Sequence, residues 1–170
     1  MNSELEVWQR GPIEGVPALL QPAAHALLQA VEDVDKEMSD FPSGLLWEKP
    51  GGVASVGFHL KHLRGVVDRL FTYARGEMLS DKQLLSLRDE TLADQINSVQ
   101  GLADNFRSQV SAAIDEMKTI NVNSLTEKRG VGRKQIPSTV IGLLFHAAEH
   151  TQRHVGQLLV TSRILKARVQ

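Results

Sequence analysis

The feature of this sequence that most restricts its fold is the spacing of its apolar residues. Along four stretches, apolar side chains recur at alternating steps of three and four, which is typical of amphipathic helices. These stretches are residues 17–38, 54–75, 92–117 and 137–166. The third keeps a near-heptad period for about seven turns, which suits close packing against neighbouring helices. Because strands and helices do not alternate along the chain, the pattern predicts an all-α fold, a four-helix bundle.

The remaining segments predict less regular structure within one domain, residues 1–170. Residues 1–16 show no sustained period, so we expect an irregular N-terminal arm that lies on the bundle. Residues 79–87 predict a short helical turn whose cap includes Ser80. Pro137 is expected in the first turn of the last helix.

A basic loop is predicted before the last helix, at residues 119–136. The helical period is lost there, and lysines and arginines surround two glycines in TEKRGVGRK. This composition predicts a hairpin-like or mobile loop. Its charges either receive the carboxylates of an anionic substrate or form a solvated surface.

Histidines are concentrated in two of the predicted helices. Five of the six in the chain are His59 and His62 in FHLKHLRG, and His146, His150 and His154 in FHAAEHTQRHVGQL. Steps of three and four place each group along one flank of a helix. Neutral imidazole binds zinc, nickel, copper or iron, and three protein ligands leave a position open for water or substrate. We therefore interpret the two segments as the halves of one divalent metal site.

The core face of the last helix indicates which histidines point inwards. We place that face on the residues Val140, Ala147, Thr151, Leu158 and Leu165. His154 then lies near its centre, His150 lies on its flank, and His146 is rotated by about 100° from it. In the second helix, His59 lies on the apolar stripe and His62 at its edge. The geometry favours His150 and His154, leaves His146 exposed or supporting, and slightly favours His59 over His62.

Composition argues against several other classes of function. The chain has no cysteine, so it offers neither a thiolate ligand nor a cysteine nucleophile. Its formal net charge of -1 provides no overall basic field, which makes nucleic acid a poor partner. The first residues lack the basic start and apolar run of a signal peptide, and no apolar stretch reaches membrane-spanning length. We therefore expect a cytoplasmic protein with no membrane partner.

The segment HAAEHTQRHVGQ resembles the helix-four motif of the DinB-like (DNA-damage-inducible, DinB/YfiT) metalloprotein superfamily. In that motif a histidine, three residues and a second histidine just before Gly-Gln carry the metal, and here these histidines are His150 and His154. Upstream, a Ser-Val-Gly sequence that begins at Ser55, with His62 seven residues after the serine, is similar to the family's helix-two pattern. The resemblance therefore implies a metal site of His62, His150 and His154, with His59 as the alternative to His62.

The resemblance also implies what such a site does. It implies a bundle, often a homodimer, that holds a divalent metal, and we expect zinc or nickel. Characterised relatives include transferases that use low-molecular-weight thiols and a thiol-dependent isomerase. The implied activity is a thiol-dependent S-transferase or a hydrolase with a small-molecule substrate. The alternative is a non-catalytic metal-binding or stress-associated bundle, in which His59 or His146 closes the coordination shell.

The sequence does not identify a catalytic residue. Glu149 precedes His150 but points about 100° away from it, so we expect it on a solvated face. No HExxH and no paired ExxH motifs occur, which argues against a zinc protease or a di-iron bundle. Gln157 is placed to orient a ligand. Other side chains suited to line a pocket are Trp47, Arg64, Arg69 and Tyr73.

Overall fold

The architecture is a bundle of four long helices, with one short helix and a small hairpin in the connections. The computed structural model describes residues 5–93 and 98–168. The elements are α1 (Gln21–Met38), α2 (Val56–Ala74), α3 (Asp81–Asp89), α4 (Val99–Thr119), β1 (Lys128–Val131), β2 (Ile136–Thr139) and α5 (Val140–Lys166). The predicted four-helix bundle is confirmed, and α1, α2, α4 and α5 are its members. In the described part of the chain, no helix has both the length and the apolarity to cross a bilayer.

The predicted apolar faces form the core between the long helices. Each of α1 and α2 packs against both α4 and α5, so the four helices close into a ring. The large side chains fully buried between them include Leu27, Leu60, Phe106 and Leu158. Burial of these faces contributes more to the helices than intrinsic propensity does. Because α2 and α5 are neighbours in the ring, the two histidine segments face each other.

Capping side chains stand at the start of three of the four long helices. Ser55, Ser98 and Thr139 each precede a helix and accept a hydrogen bond from a backbone N–H in its first turn. The cap at Ser98 corrects the predicted start of the third long helix near residue 92. Leu92 instead lies exposed in the turn after α3. Ile96, assigned to the same helix from its period, lies outside the described residues.

A two-stranded antiparallel hairpin occupies part of the predicted basic loop. β1 pairs with β2, with Gly130 opposite Pro137, and the turn uses positive φ at Gly132 and Gln135. The prediction that Pro137 opens the last helix is wrong, because it lies in β2 and the helix starts after Thr139. A proline is tolerated there because each strand of a two-stranded sheet has an unpaired edge.

Arg129 fixes the hairpin to the C-terminal end of α2. Its Nε donates to the carbonyl of Ala74 at 2.7 Å, and its Nη2 pairs with Glu127 at 3.0 Å. Ala74 follows His62 by about twelve residues on α2, which corresponds to roughly 18 Å along the helix. The Arg129 end of the basic hairpin therefore lies well away from His62.

The described part of the N-terminal arm lies against α1. Val7 is buried, and its backbone N–H donates to Gln29 Oε1 at 2.9 Å. Arg10 pairs with Glu32 of the same helix at 2.5 Å. Val16, just before α1, is buried in the main core. The arm is thus held by both apolar contacts and polar contacts.

Candidate metal centre

Three histidines come together where α2 faces α5. His62 comes from α2, and His150 and His154 come from successive turns of α5. All three are half-buried, and one ring nitrogen of each lies within 4.8 Å of the others. The ring centroid of His154 is 4.3 Å from that of His62 and 4.6 Å from that of His150. The structure thus brings together the three histidines that the family resemblance selected.

The spacing of the ring nitrogens is suited to a divalent ion. Nε2 of His62 and Nε2 of His150 are 3.0 Å apart. Two nitrogens that each lie about 2.0–2.1 Å from a tetrahedral zinc ion are roughly 3.3–3.4 Å apart. A small outward movement of the two rings would therefore admit an ion between them. Three neutral imidazoles would leave a further coordination position for water or substrate.

Burial keeps His150 and His154, the two α5 members of this group, neutral. Burial, with the nearby His62 as the next cause, lowers the pKa of His154 to about 4. The same causes in the same order lower the pKa of His150. Since metals bind the unprotonated ring nitrogen, these residues are in the form that binds at neutral pH. His150 Nδ1 is buried and neither accepts nor donates a hydrogen bond among the described residues, so the polar contact of this ring is the one that its Nε2 makes with His62.

A buried carboxylate lies behind His62. Glu90, directly after α3, is 3% exposed, and its Oε2 lies 2.7 Å from His62 Nδ1. Its Oε1 accepts a hydrogen bond from Arg69 Nη1 at 2.6 Å. Burial alone would raise the pKa of the Glu90 carboxyl, but the hydrogen bond from His62 and the charge and hydrogen bond of Arg69 hold it below its ordinary value. Glu90 is therefore an ionised acceptor at neutral pH.

The local sequence gives little indication of this role for Glu90. The residue stands among charged residues at the end of a short helix, and such residues are usually solvated. Gly65 is the one available signal, since a glycine is unfavourable inside a helix. A Cβ at position 65 would overlap Glu90 Oε1 and Arg69 Nη1, so the glycine makes room for the ion pair.

His59 lies behind His154 and outside the three-histidine group. Its side chain is buried, and its Nδ1 is 3.1 Å from Nδ1 of His154. Burial, with a contribution from His62, lowers the pKa of His59 to about 4. Because both rings are neutral, one Nδ1 donates and the other accepts. His59, the alternative to His62 as a ligand, is thus a hydrogen-bond partner of His154.

His146 lies one turn before His150 and is half exposed. Its Nδ1 is 2.6 Å from Glu149 Oε1, and Glu149 Oε2 accepts a hydrogen bond from Arg153 at 2.6 Å. His146, Glu149 and His150 form a second group with ligand atoms within 4.8 Å. Glu149, expected on a solvated face, is partly exposed and paired with two residues of its own helix. The group with His62 is the stronger candidate, because it joins two helices and is more buried.

A largely apolar groove adjoins the histidines. It has a volume of about 630 Å³ and lies between the start of α2 and the second half of α5. His59 reaches it, which places the groove one side chain away from His154. The other residues that line it include Val53, Arg153, Gln157, Val160 and Ile164. Gln157, expected to orient a ligand, therefore faces this groove.

The remaining residues suggested for a pocket lie in different places. Arg69 contacts Glu90 beside the site. Trp47 packs on Gly57 at the start of α2. Arg64 lines a separate cleft between α2, α3 and α4, and Tyr73 is buried near the far end of α2.

Known proteins provide an independent comparison. The sequence profile of the DinB superfamily matches residues 19–158. YfiT from Bacillus subtilis, described as a probable metal-dependent hydrolase with an unusual four-helix bundle topology, aligns with a TM-score of 0.66 and 14% identity, over 92% of this chain and 93% of its own. A DinB-like protein from Bacillus cereus ATCC 10987 aligns with a TM-score of 0.59 and 18% identity, over 82% of this chain and 91% of its own. No curated protein gives a significant match. At these identities the solved structures establish the fold alone.

Proposed function

The chain belongs to the DinB superfamily, and from that membership and the histidine geometry we propose that it is a divalent-metal-dependent enzyme with His62, His150 and His154 as ligands. The observation that carries the proposal is the convergence of three histidines from two facing helices, with ring nitrogens within 4.8 Å of one another. Similarity in fold to YfiT, a probable metal-dependent hydrolase, supports the same class of function.

The proposed activity is a thiol-dependent S-transfer or a hydrolysis. A divalent ion held by three imidazoles supplies Lewis acidity, which lowers the pKa of a thiol or of water. Since the chain has no cysteine, a thiol nucleophile would come from a low-molecular-weight cofactor. The groove of about 630 Å³ beside His59 offers apolar walls for a small-molecule substrate. The three histidines would hold the ion and determine the direction of its open coordination position.

Several finer properties stay predictions of the family resemblance. Imidazole ligands suit zinc or nickel, and their affinity order does not decide which ion the cell supplies. We also expect a homodimer in the cytoplasm. Light scattering coupled to size-exclusion chromatography would test the dimer, for which a mass of about twice the chain's 18.8 kDa is expected.

Metal content of the untagged protein tests the proposed ligands. About one divalent ion per chain is expected in the wild-type protein, and its loss is expected in His62→Ala, His150→Ala and His154→Ala. His146→Ala is a matched control, because His146 lies on the same helix but outside this group. Loss of metal in His146→Ala with full retention in His62→Ala would move the site to the group formed by His146, Glu149 and His150.

The cobalt spectrum separates an enzyme from a structural metal bundle. Three histidines and an exchangeable water are expected to give a spectrum that changes on addition of a small thiol or another exogenous ligand. A spectrum that such ligands leave unchanged would indicate a closed shell and favour the non-catalytic alternative. In that case His59→Ala would alter the spectrum directly, because His59 is the buried imidazole beside His154.

A further inference from the structure

The three histidines differ in how their outward-facing nitrogens are held. His62 Nδ1 faces the carboxylate of Glu90 at 2.7 Å. His154 Nδ1 faces another neutral imidazole, that of His59, at 3.1 Å. His150 Nδ1 is buried and unpartnered among the described residues. Among the three, only His62 therefore has a carboxylate at its Nδ1, and an ionised carboxylate can accept a hydrogen bond but cannot donate one.

The contact with Glu90 determines the tautomer of His62. A carboxylate that also accepts a hydrogen bond from an arginine is ionised, and an ionised carboxylate can only accept. Nδ1 of His62 must then carry the proton and donate it to Glu90 Oε2. In the neutral ring, Nε2 is left with a free lone pair, and this is the nitrogen that faces Nε2 of His150 at 3.0 Å.

Glu90 itself is held in place from two sides. Arg69 Nη1 donates to Glu90 Oε1 at 2.6 Å, and both side chains are nearly inaccessible to solvent. Gly65 provides the space against α2 that the pair occupies. A carboxylate held in this way orients the ring of His62 as well as its proton, because the ring must keep Nδ1 directed at Oε2.

We infer that Glu90 is a positioning residue for the metal centre, which fixes His62 with its Nε2 lone pair directed at the ion. The inference rests on the proposed function, since it assumes that His62 is a ligand. Carboxylates that accept a hydrogen bond from a metal-bound histidine orient it and increase its basicity, and their loss typically costs about 10- to 100-fold in metal affinity. Glu90 acts through His62, so its removal should weaken binding without removing a ligand.

The experiment compares Glu90→Gln with Glu149→Gln. Both residues pair with a histidine, Glu90 with His62 and Glu149 with His146, but only His62 belongs to the proposed site. Zinc affinity is measured by competition with a chromophoric chelator. We expect Glu90→Gln to weaken it by about 10- to 100-fold and Glu149→Gln to leave it within about twofold. Two-bond ¹H–¹⁵N correlation spectra of the metal-free proteins give the tautomer of His62 directly.

A second variant controls for misfolding, because Glu90→Gln leaves Arg69 buried without its partner. The double variant E90Q/R69M removes both charges and is expected to restore folding, monitored by circular dichroism, while metal affinity stays low. Wild-type affinity and an unchanged His62 tautomer in a folded Glu90 variant would overturn the inference. Failure of the wild-type protein itself to bind zinc would overturn the proposed function, and the inference with it, even if the tautomer is fixed as expected.

Discussion

Replacing Gly65 by alanine should destabilise the protein, although alanine is the better helix former. Gly65 is buried in the middle of α2, where Glu90 and Arg69 meet. An added Cβ would overlap both Glu90 Oε1 and Arg69 Nη1. The two side chains would have to separate or leave their buried positions, and His62 would lose its carboxylate partner.

The expected size of the effect follows from two opposing contributions. Glycine to alanine in a helix interior favours folding by about 0.8–1 kcal/mol. Removing the partner of a buried charge costs about 3–5 kcal/mol. If the added methyl group drives the pair apart, the net loss in the free energy of unfolding is about 2–4 kcal/mol. The same variant should bind zinc more weakly than the wild-type protein, because His62 is no longer held by Glu90.

Gly156→Ala provides the matched control. Gly156 also lies inside a long helix, but apart from its two chain neighbours and the backbone of its own helix, no atom of the described residues lies within 4 Å of the position that a Cβ would take. This variant should be more stable than the wild-type protein by up to about 1 kcal/mol. Urea denaturation followed by circular dichroism measures both free energies. Equal stabilisation of Gly65→Ala and Gly156→Ala would refute the packing of Glu90 against α2.

Two further predictions concern the same region. In Gly57→Ala, the new Cβ would lie 2.5 to 2.7 Å from three atoms of the Trp47 ring. We expect a loss of about 1–2 kcal/mol in the free energy of unfolding, because overpacking outweighs the gain in helix propensity. A variant as stable as the wild-type protein in urea denaturation would contradict the packing of Trp47 against Gly57. The metal-free protein should lose stability as the pH falls from about 6.5 towards 4, because burial holds the pKa of His59 and of His154 at about 4 and the unfolded chain binds protons first. The free energy of unfolding should change by at most about 1.4 kcal/mol per pH unit for each histidine. If it does not change over this range, these rings protonate as readily in the folded protein as in the unfolded chain.

The bundle could be predicted from the sequence because every long helix repeats its apolar period several times. Leu60 and Leu158, for example, lie on the predicted stripes and are fully buried. Helix ends were harder to predict, because they depend on single residues with competing uses. Pro137 suits a first helical turn as well as a strand, and the cap at Thr139 decides between them.

Periodicity slightly favoured His59 over His62 but could not decide between them. The two residues are three positions apart on α2, so both lie near the face that meets α5. The choice depends on what stands behind each ring, which is a property of tertiary packing. Glu90 comes from a different helix and reaches His62 only because Gly65 leaves space for it. Such a contact between two helices does not affect the spacing of apolar residues in either α2 or α3, so periodicity cannot reveal it.

The position of the Glu90 carboxylate behind His62, and not behind His150 or His154, has a geometric reason. His150 and His154 are four residues apart on one helix, so the backbone of α5 already fixes their relative positions. His62 comes from a second helix, and its ring must be oriented independently. In the metal-free protein Nε2 of His62 lies 3.0 Å from Nε2 of His150, so one of these two nitrogens carries a proton and donates it to the other. An ion bound between these two atoms would displace that proton. If His62 is a metal ligand as proposed, Glu90 presets its orientation, whereas Nδ1 of His150, unpartnered among the described residues, is available to take up the displaced proton.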